Sequence, residues 1–374
     1  MPLSAMDGFS FASKLLDKMS GDPDFNVQVS GKSLAGHGLQ GQASTETVVR
    51  IFTGAVVPPE HDTVIPQELV TFNETAQSVR FDAKAIRAGA NVRRRGEDLE
   101  KGAAALLAGT IIGPREIALL ASMGIASVEV KRRIRVAVLS TGDEVTEPGR
   151  PLPSGKTFDA NRPMLLEMVR DCGADAIDLG IVNDDADSLQ QAITHAATIA
   201  DAVITSSGVS VGEADHTKSV MQSLGDISFW KLAIKPGRPL AAGMIKRKTT
   251  PTASNNTAAA LVPFFGLPGN PVAAFVTFKA VVEPCLQQLS GITPQARPPI
   301  RAKLARDAKK VSGRTEYLRC ALTRDANNEW VAEISASQGA ASLKSLVDAD
   351  GLVVLPHDAG PLVAGTPVDV IVLR

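Results

Sequence analysis

The feature that most constrains the fold is a regular alternation of short apolar segments and helical periodicity, which begins at Ile134. Three apolar segments have the length of buried strands, and helical patterns separate them. The strands are predicted at 135–139, 177–182 and 202–205, and the helices at 162–172, 187–200 and from Pro271 to about Leu289. Strands that alternate with helices at these lengths predict a doubly wound α/β sheet of parallel strands with right-handed crossovers.

The segments on either side of this α/β pattern are rich in β-prone sequence. Residues 21–98 and 300–374 both combine short alternating segments with glycine, asparagine or proline turns. A chain of 374 residues also exceeds the usual size of one domain. We therefore expect a β-rich N-terminal domain and a C-terminal β domain. The predicted boundaries are 1–98, a connector at 99–133, the α/β domain at 134–295, and 296–374.

Composition excludes several classes of protein. The net charge is −1 and aromatic residues make up 4% of the chain, which argues against a general nucleic-acid binder. The longest apolar run, Ala258 to Phe265, is too short for a membrane span. The N-terminal residues do not have the basic and apolar pattern of a leader sequence. Cys172, Cys285 and Cys320 are scattered, so we expect a reduced, soluble, cytoplasmic protein without a zinc site.

Acidic residues follow the predicted parallel strands, where ligands of doubly wound sheets bind. They are Glu144, Asp184, Asp185 and Asp215. Carboxylates gathered at one sheet edge predict a Mg²⁺ site, and Mg²⁺ usually also binds substrate phosphate oxygens. The alternative for Asp184 or Asp185 is a helix N-cap, which we consider equally plausible from the sequence alone.

Basic and turn-forming residues follow further along the chain. Lys231 and Lys235 lie close together in sequence, before Pro236, and could bind an oxyanion or form a solvated basic turn. The segment Gly266–Pro271 predicts a rigid turn into a helix, either an anion site or a structural turn. The low-complexity segment at 245–260 predicts a mobile loop between two strands.

Several segments, weak one by one, together resemble the MoeA family, which includes gephyrin and the plant molybdenum insertases. The matching segments are Ser4–Gly8, Arg50–Ala55, Arg93–Asp98, Ser140–Glu144, Gly208–Asp215, Trp230–Pro239 and Gly266–Pro271. They occur in the family's order and cover nearly the whole chain. The resemblance implies an elongated homodimer of four-domain subunits, with a MogA-like molybdopterin-binding domain and a C-terminal β-barrel.

The resemblance also implies a reaction. Adenylylated molybdopterin and molybdate give molybdenum cofactor and AMP, with Mg²⁺ required. The implied catalytic residues are Asp7, Thr53, Asp98, Glu144, Asp184 and Asp215, of which Glu144, Asp184 and Asp215 would hold the metal. The implied cofactor-binding residues are Ser210, Lys231, Lys235, Pro268, Pro271 and Arg319. Because Asp7 and Asp98 are far from the α/β segment in sequence, the implied cleft is shared between subunits, and other molybdenum-cofactor enzymes are possible partners.

The chain departs from the family pattern at several positions. Ser207 replaces a glycine, and Ala273 and Ala340 replace serines near the expected molybdate site. The 245–260 segment is an insertion, and the Ser-Ala-Met-Asp-Gly motif starts at residue 4, so either part of the connector domain is absent or the chain is not the full gene product. Active molybdenum insertase is the leading hypothesis. The alternatives are a paralogue of weak activity that acts as a dimeric scaffold, and a pterin- or nucleotide-binding module without turnover.

Overall fold

The computed structural model describes residues 1–20, 25–207, 220, 222–247, 261–292 and 299–373. The chain divides into two compact units, Met1–Leu107 and Ala108–Arg374. The predicted four-domain boundaries are finer than this division and stay a prediction. Within the described residues no helix is both long and apolar enough to cross a membrane.

The first unit is built from β-strands, as the sequence predicted. Its strands are β1 Leu3–Ser4, β2 Gly8–Phe11, β3 Val27–Leu34, β4 Gly38–Gly41, β5 Val48–Ile51, β6 Thr63–Pro66, β7 Thr71–Asn73, β8 Ser78–Arg80 and β9 Val92–Arg93. The helix α1 spans Leu15–Met19, and short 3₁₀ turns span Gln67–Leu69 and Ala83–Ala85. The main sheet has the order β6-β2-β5-β3-β8-β7 with β4 against β3, and β1 pairs with β9. Gly8 is required in β2, because a Cβ atom there would lie 1.9 Å from the Ile65 carbonyl oxygen.

The second unit contains the α/β segment. Its strands are β10 Arg135–Thr141, β11 Val145–Thr146, β12 Thr157–Phe158, β13 Asp175–Val182, β14 Ala202–Ser206, β15 Gly225–Lys231, β16 Ile234–Lys235, β17 Pro239–Lys246 and β18 Leu261–Leu267. Its helices are α2 Pro114–Ser122, α3 Asn161–Asp171, α4 Ala186–Ile199, α5 Pro271–Thr277 and α6 Glu283–Leu289, with a π-helical segment at Phe278–Val282 between the last two.

The six-stranded sheet has the order β13-β10-β14-β18-β17-β15. The first four strands run parallel, which confirms the doubly wound prediction. The last two are antiparallel and were not predicted, because a hairpin-like return interrupts the strand–helix alternation. Helices cover both faces: Leu165 of α3 and Leu286 of α6 pack on one face, and Leu189 and Ile193 of α4 on the other.

The C-terminal segment forms a closed five-stranded barrel, which confirms the predicted β domain. Its strands are β19 Ile300–Leu304, β20 Thr315–Arg324, β21 Trp330–Ile334, β22 Gly351–Leu355 and β23 Pro367–Val372, with α7 at Leu343–Val347. Closure follows from the pairings β19–β21, β21–β20, β20–β22, β22–β23 and β23–β19.

The barrel packs against the start of α5. Val272 and Val276 of α5 share a buried cluster with Leu352 of β22, and Tyr317 of β20 packs against it. β16 also pairs in parallel with β20, so the segment that carries Lys235 is bonded directly to the barrel. These contacts place barrel residues next to the carboxyl ends of the parallel strands.

Candidate active site at the carboxyl edge of the sheet

A cavity of about 940 Å³ opens at the carboxyl ends of the parallel strands, where the sequence placed the ligand site. Loops that follow four strands reach it, and one barrel loop closes its far side. Its lining includes Ser140, Thr141, Gly142, Glu144, Phe158, Asp159, Asn161, Asp184, Ser206, Ser207, Lys235, Pro236, Pro268, Gly269, Pro271, Ala273 and Ala340. The size suits a nucleotide-sized ligand.

The neighbouring acids Asp184 and Asp185 have different roles in the structure. Asp185 is the N-cap of α4, where its Oδ1 accepts a hydrogen bond of 2.9 Å from the Ser188 backbone N–H. That hydrogen bond lowers the pKa of the Asp185 carboxyl from its usual value. Asp184 instead lines the cavity, and its backbone N–H donates to Asp143 Oδ1 at 3.2 Å. Asp184 is therefore available to a ligand, whereas Asp185 serves the helix.

Glu144 reaches the cavity from the turn that follows β10. Gly142 in this turn has a φ of +133°. A Cβ atom on Gly142 would lie 2.5 Å from Glu144 Oε2, so any other residue would displace the carboxylate. The position of the Glu144 carboxylate therefore depends on the glycine two residues before it in the same turn.

The two acids that line the cavity fit a Mg²⁺ site. Glu144 and Asp184 are exposed carboxylates that line the same cavity, and Mg²⁺ needs only one or two protein carboxylates when substrate phosphates and water complete its shell. Among the described residues no group of three His, Cys, Asp or Glu side chains is arranged as a metal site. Asp215 and Ser210, the other predicted residues of this region, lie outside the described residues.

The two predicted lysines are placed differently. Lys235 lines the cavity, and its Nζ lies 3.2 Å from Oε2 of Glu316, a nearly buried carboxylate on the barrel. Lys231 is exposed at the end of β15, opposite Pro239, and lines neither this cavity nor the one beside it. Within this structure only Lys235 is brought to the acids.

A second cavity of about 540 Å³ lies on the barrel side of Lys235. Lys235, Pro236 and Ala340 line both cavities, so the two spaces meet at these residues. Arg306 and Lys309 add positive charge to the second cavity. Together the cavities form a two-chamber site, with Glu144 and Asp184 in the larger chamber and Lys235 where the two chambers meet.

The predicted prolines and both alanine departures lie in the larger cavity. Pro268, Pro271, Ala273 and Ala340 all line it. The Val272 backbone N–H donates to the Ala340 carbonyl at 3.0 Å, which joins the start of α5 to the barrel loop. The missing serine hydroxyls would therefore have faced the same space.

Arg319 lies behind the loop that brings Ala340 to the cavity. The residue is 0% exposed, lines neither cavity, and its Nη2 donates to the carbonyls of Ser337 (3.0 Å) and Gly339 (3.2 Å). Burial lowers the pKa of its guanidinium. Its Nε and Nη1 have no partner among the described residues. Direct anion binding by Arg319 stays a prediction, because the structure shows the side chain holding the loop that carries Ala340.

Sequence reasoning missed Asn161, which links two strand ends that line the cavity. Asn161, at the start of α3, donates from Nδ2 to Ser206 Oγ and to the Gly269 carbonyl, both at 2.7 Å. These two acceptors follow β14 and β18, so one amide joins two strand ends. Its neighbour Arg162 is buried and forms ion pairs with three acids, one of which is Asp159. No sequence motif marks Asn161, whereas Glu147, Asp159 and Asp178 were the available signal for its neighbour Arg162.

Ser207, which stands where the family has a glycine, has a left-handed backbone conformation. Its φ is +75°, in the left-handed region that favours glycine. Its N–H donates to the Leu267 carbonyl at 3.1 Å, and a Cβ on Gly269 would meet its Oγ at 2.9 Å. The residue therefore keeps the glycine-like turn and adds a hydroxyl at the cavity wall.

The first unit assembles the other matched segments. β1 pairs with β9, and the N–H of Ser4 donates to the Ala55 carbonyl at 2.9 Å, so segments from residues 3–8, 50–55 and 91–98 meet. Asp7 Oδ1 accepts hydrogen bonds from Thr53 Oγ1 (2.6 Å) and from the Thr53 N–H (2.8 Å). The side-chain hydrogen bond from Thr53 is the main cause that lowers the pKa of Asp7. Asp98 is exposed.

Comparison with known proteins agrees with the family resemblance of the matched segments. Residues 1–124 match the MoeA N-terminal region (domains I and II), residues 137–288 a "Probable molybdopterin binding domain", and residues 301–373 the MoeA C-terminal region (domain IV). A molybdopterin molybdenumtransferase from Haemophilus influenzae is 38% identical over 98% of this chain and 86% of the relative. The chain belongs to the MoeA family.

Further relatives agree with this family. A molybdopterin molybdenumtransferase from Bacillus subtilis is 31% identical over 99% of the chain and 83% of its own length. The crystal structure of a MoeA molybdopterin biosynthesis protein from Pyrococcus horikoshii superposes with a TM-score of 0.73 at 30% identity, covering 100% of this chain and 88% of that one. The MoeA fold therefore accounts for the whole described chain.

Proposed function

We propose that this MoeA protein is a molybdopterin molybdenumtransferase, which inserts molybdenum from molybdate into adenylylated molybdopterin and releases AMP. The observation that carries the proposal is a single cavity that Glu144, Asp184 and Lys235 all line. Acids for a metal-bound phosphoanhydride and a cation for an oxyanion are the groups that this reaction needs. The relatives named molybdopterin molybdenumtransferase support the same chemistry.

The two acids would hold Mg²⁺, together with Asp215 as the third proposed ligand. Mg²⁺ bound there would neutralise negative charge on the phosphoanhydride oxygens. Gly142 leaves room for the Glu144 carboxylate, and the bond from the Asp184 N–H to Asp143 positions the backbone that carries Asp184. The chain's own contribution is thus to present two carboxylates to the same cavity.

Lys235 would attract molybdate and stabilise negative charge on it. Its partner Glu316 is nearly buried and holds the ammonium at the passage between the two chambers. We propose that Arg319 acts with it by fixing the Ser337–Gly339 carbonyls of the loop that ends at Ala340. Lys231, Pro268, Pro271 and Ser210 remain proposed contacts of the substrate.

We further propose a homodimer in which Asp7, Thr53 and Asp98 of one subunit complete the site of the other. Exposed apolar side chains on and around α2 support an association surface; they include Leu107, Ile111, Ile117, Met123 and Val130. The unpaired state of all three cysteines supports a cytoplasmic location. Delivery to other molybdenum-cofactor enzymes would be a separate, later contact.

The scaffold alternative has one specific observation in its favour. Ala273 and Ala340 remove two hydroxyl donors from the cavity wall. The deciding experiment incubates the protein with adenylylated molybdopterin, molybdate and Mg²⁺, and measures molybdenum that stays with the pterin after desalting. We expect stoichiometric or catalytic incorporation. Pterin without molybdenum at every molybdate concentration would favour the scaffold.

Restoring the two hydroxyls should increase the affinity for molybdate. A charge-assisted hydrogen bond contributes about 1.5–3 kcal/mol, and backbone amides or water replace part of that here. The double variant Ala273→Ser with Ala340→Ser should therefore reach half-maximal insertion at a several-fold lower molybdate concentration. A molybdate titration of both proteins, read as cofactor formed, measures this. An unchanged midpoint would show that neither position contacts the anion.

A further inference from the structure

One aromatic side chain in the larger cavity has no role so far. Phe158 lines the cavity and is 45% exposed, although phenylalanine is normally buried. It is the only aromatic residue among the described residues that line this cavity. An aromatic face left open inside a ligand cavity gains most when a flat ring covers it, because both the apolar area and the stacking contact are then satisfied.

The backbone under Phe158 is fixed on both sides. The Thr157 N–H donates to the Glu144 carbonyl, and the Asp159 N–H to the Thr146 carbonyl, both at 2.9 Å. The Asp159 side chain is in turn paired with buried Arg162. These bonds fix the main chain on both sides of a ring that is 45% exposed at the cavity wall.

The same hydrogen bonds couple the ring to the acidic end of the site. The N–H of Thr157, the residue before Phe158, donates to the carbonyl of Glu144. The Glu144 carboxylate lines the same cavity as Phe158. A ligand whose phosphates lie near Glu144 would place a ring between the two bonded segments that carry Glu144 and Phe158. This arrangement is that of a nucleotide: anionic groups at one end and a flat base at the other.

We propose that Phe158 is the stacking surface for a flat heteroaromatic ring of the substrate, either the adenine or the pterin. The inference rests on the proposed function, since adenylylated molybdopterin carries both rings. Stacking of this kind contributes by area and by π-contact, so it tolerates another aromatic residue but not an aliphatic one.

The test compares Phe158→Leu with Phe158→Trp. Titration calorimetry would use two probes, AMP for the adenine and molybdopterin without the adenylate for the pterin. We expect Phe158→Leu to weaken the binding of one probe by about tenfold or more. Phe158→Trp should bind that probe at least as tightly as the unchanged protein. The probe that responds identifies the ring.

The chain offers a control in the connection that leads from β11 to β12, the strand that ends at Phe158. Leu152 is 46% exposed and does not line the cavity, so Leu152→Ala should leave the binding of both probes unchanged. If Phe158→Leu binds both probes as the unchanged protein does, stacking is overturned while the proposed function stands. If the unchanged protein binds neither probe, the proposed function fails and the inference fails with it.

Discussion

Asp184→Asn should lower turnover of adenylylated molybdopterin by about 100-fold or more, with little change in the fold. The substitution keeps the size of the side chain and its backbone bond to Asp143, but it removes one negative charge from the cavity. Because Asp184 is exposed, its loss buries no group and leaves no cavity in the core. Single-turnover AMP release, measured with and without EDTA, gives the size of the effect.

The adjacent residue supplies the control. Asp185→Asn should keep near-normal turnover, since asparagine caps a helix about as well as aspartate and stability should change by less than about 0.5 kcal/mol. The two variants remove the same charge from neighbouring positions. Equal losses of activity in both would mean that net charge near α4, and not a ligand contact of Asp184, explains the result.

Mixed dimers should recover activity that neither parent variant has. Asp98→Asn and Asp184→Asn each inactivate every site in their own homodimers if the sites are shared between subunits. After random mixing, half of the dimers are mixed and each has one intact site, so activity should return to about one quarter of the wild-type value. The measurement is AMP release after the two proteins are unfolded together and refolded.

The matching control mixes Glu144→Gln with Asp184→Asn. Both residues line the same cavity of the second unit, so every site in a mixed dimer keeps one defect and no activity should return. A monomer by light scattering would contradict sharing, as would absence of recovery in the first mixture.

Much of the α/β architecture follows from sequence periodicity. The predicted strand at 135–139 is observed at Arg135–Thr141, and the predicted helix at 187–200 at Ala186–Ile199. These elements are buried on one face or both, so their apolar spacing is a strong constraint. The antiparallel order of β15 and β17 was not predicted, because strand periodicity alone does not encode the direction in which neighbouring strands pair.

The site was only partly predictable, because its residues meet through contacts that local sequence patterns do not encode. Sequence could place Asp184 and Asp185 after a strand, but not decide which one caps α4, because the choice depends on where the loop turns. The family resemblance implied that Arg319 lies near the molybdate site, whereas the structure shows its guanidinium bonded to the Ser337 carbonyl and buried. Asn161 carries no motif signal, and its role depends on two strand ends meeting in space.

The most direct test of the central claim is AMP release from adenylylated molybdopterin in the presence and absence of molybdate. The account predicts that Mg²⁺ is required and that molybdate couples AMP release to the formation of molybdenum cofactor, because the acids and Lys235 line a single cavity. AMP and cofactor should then appear in equal amounts. Tight binding of the substrate with no AMP released under any of these conditions would contradict the account.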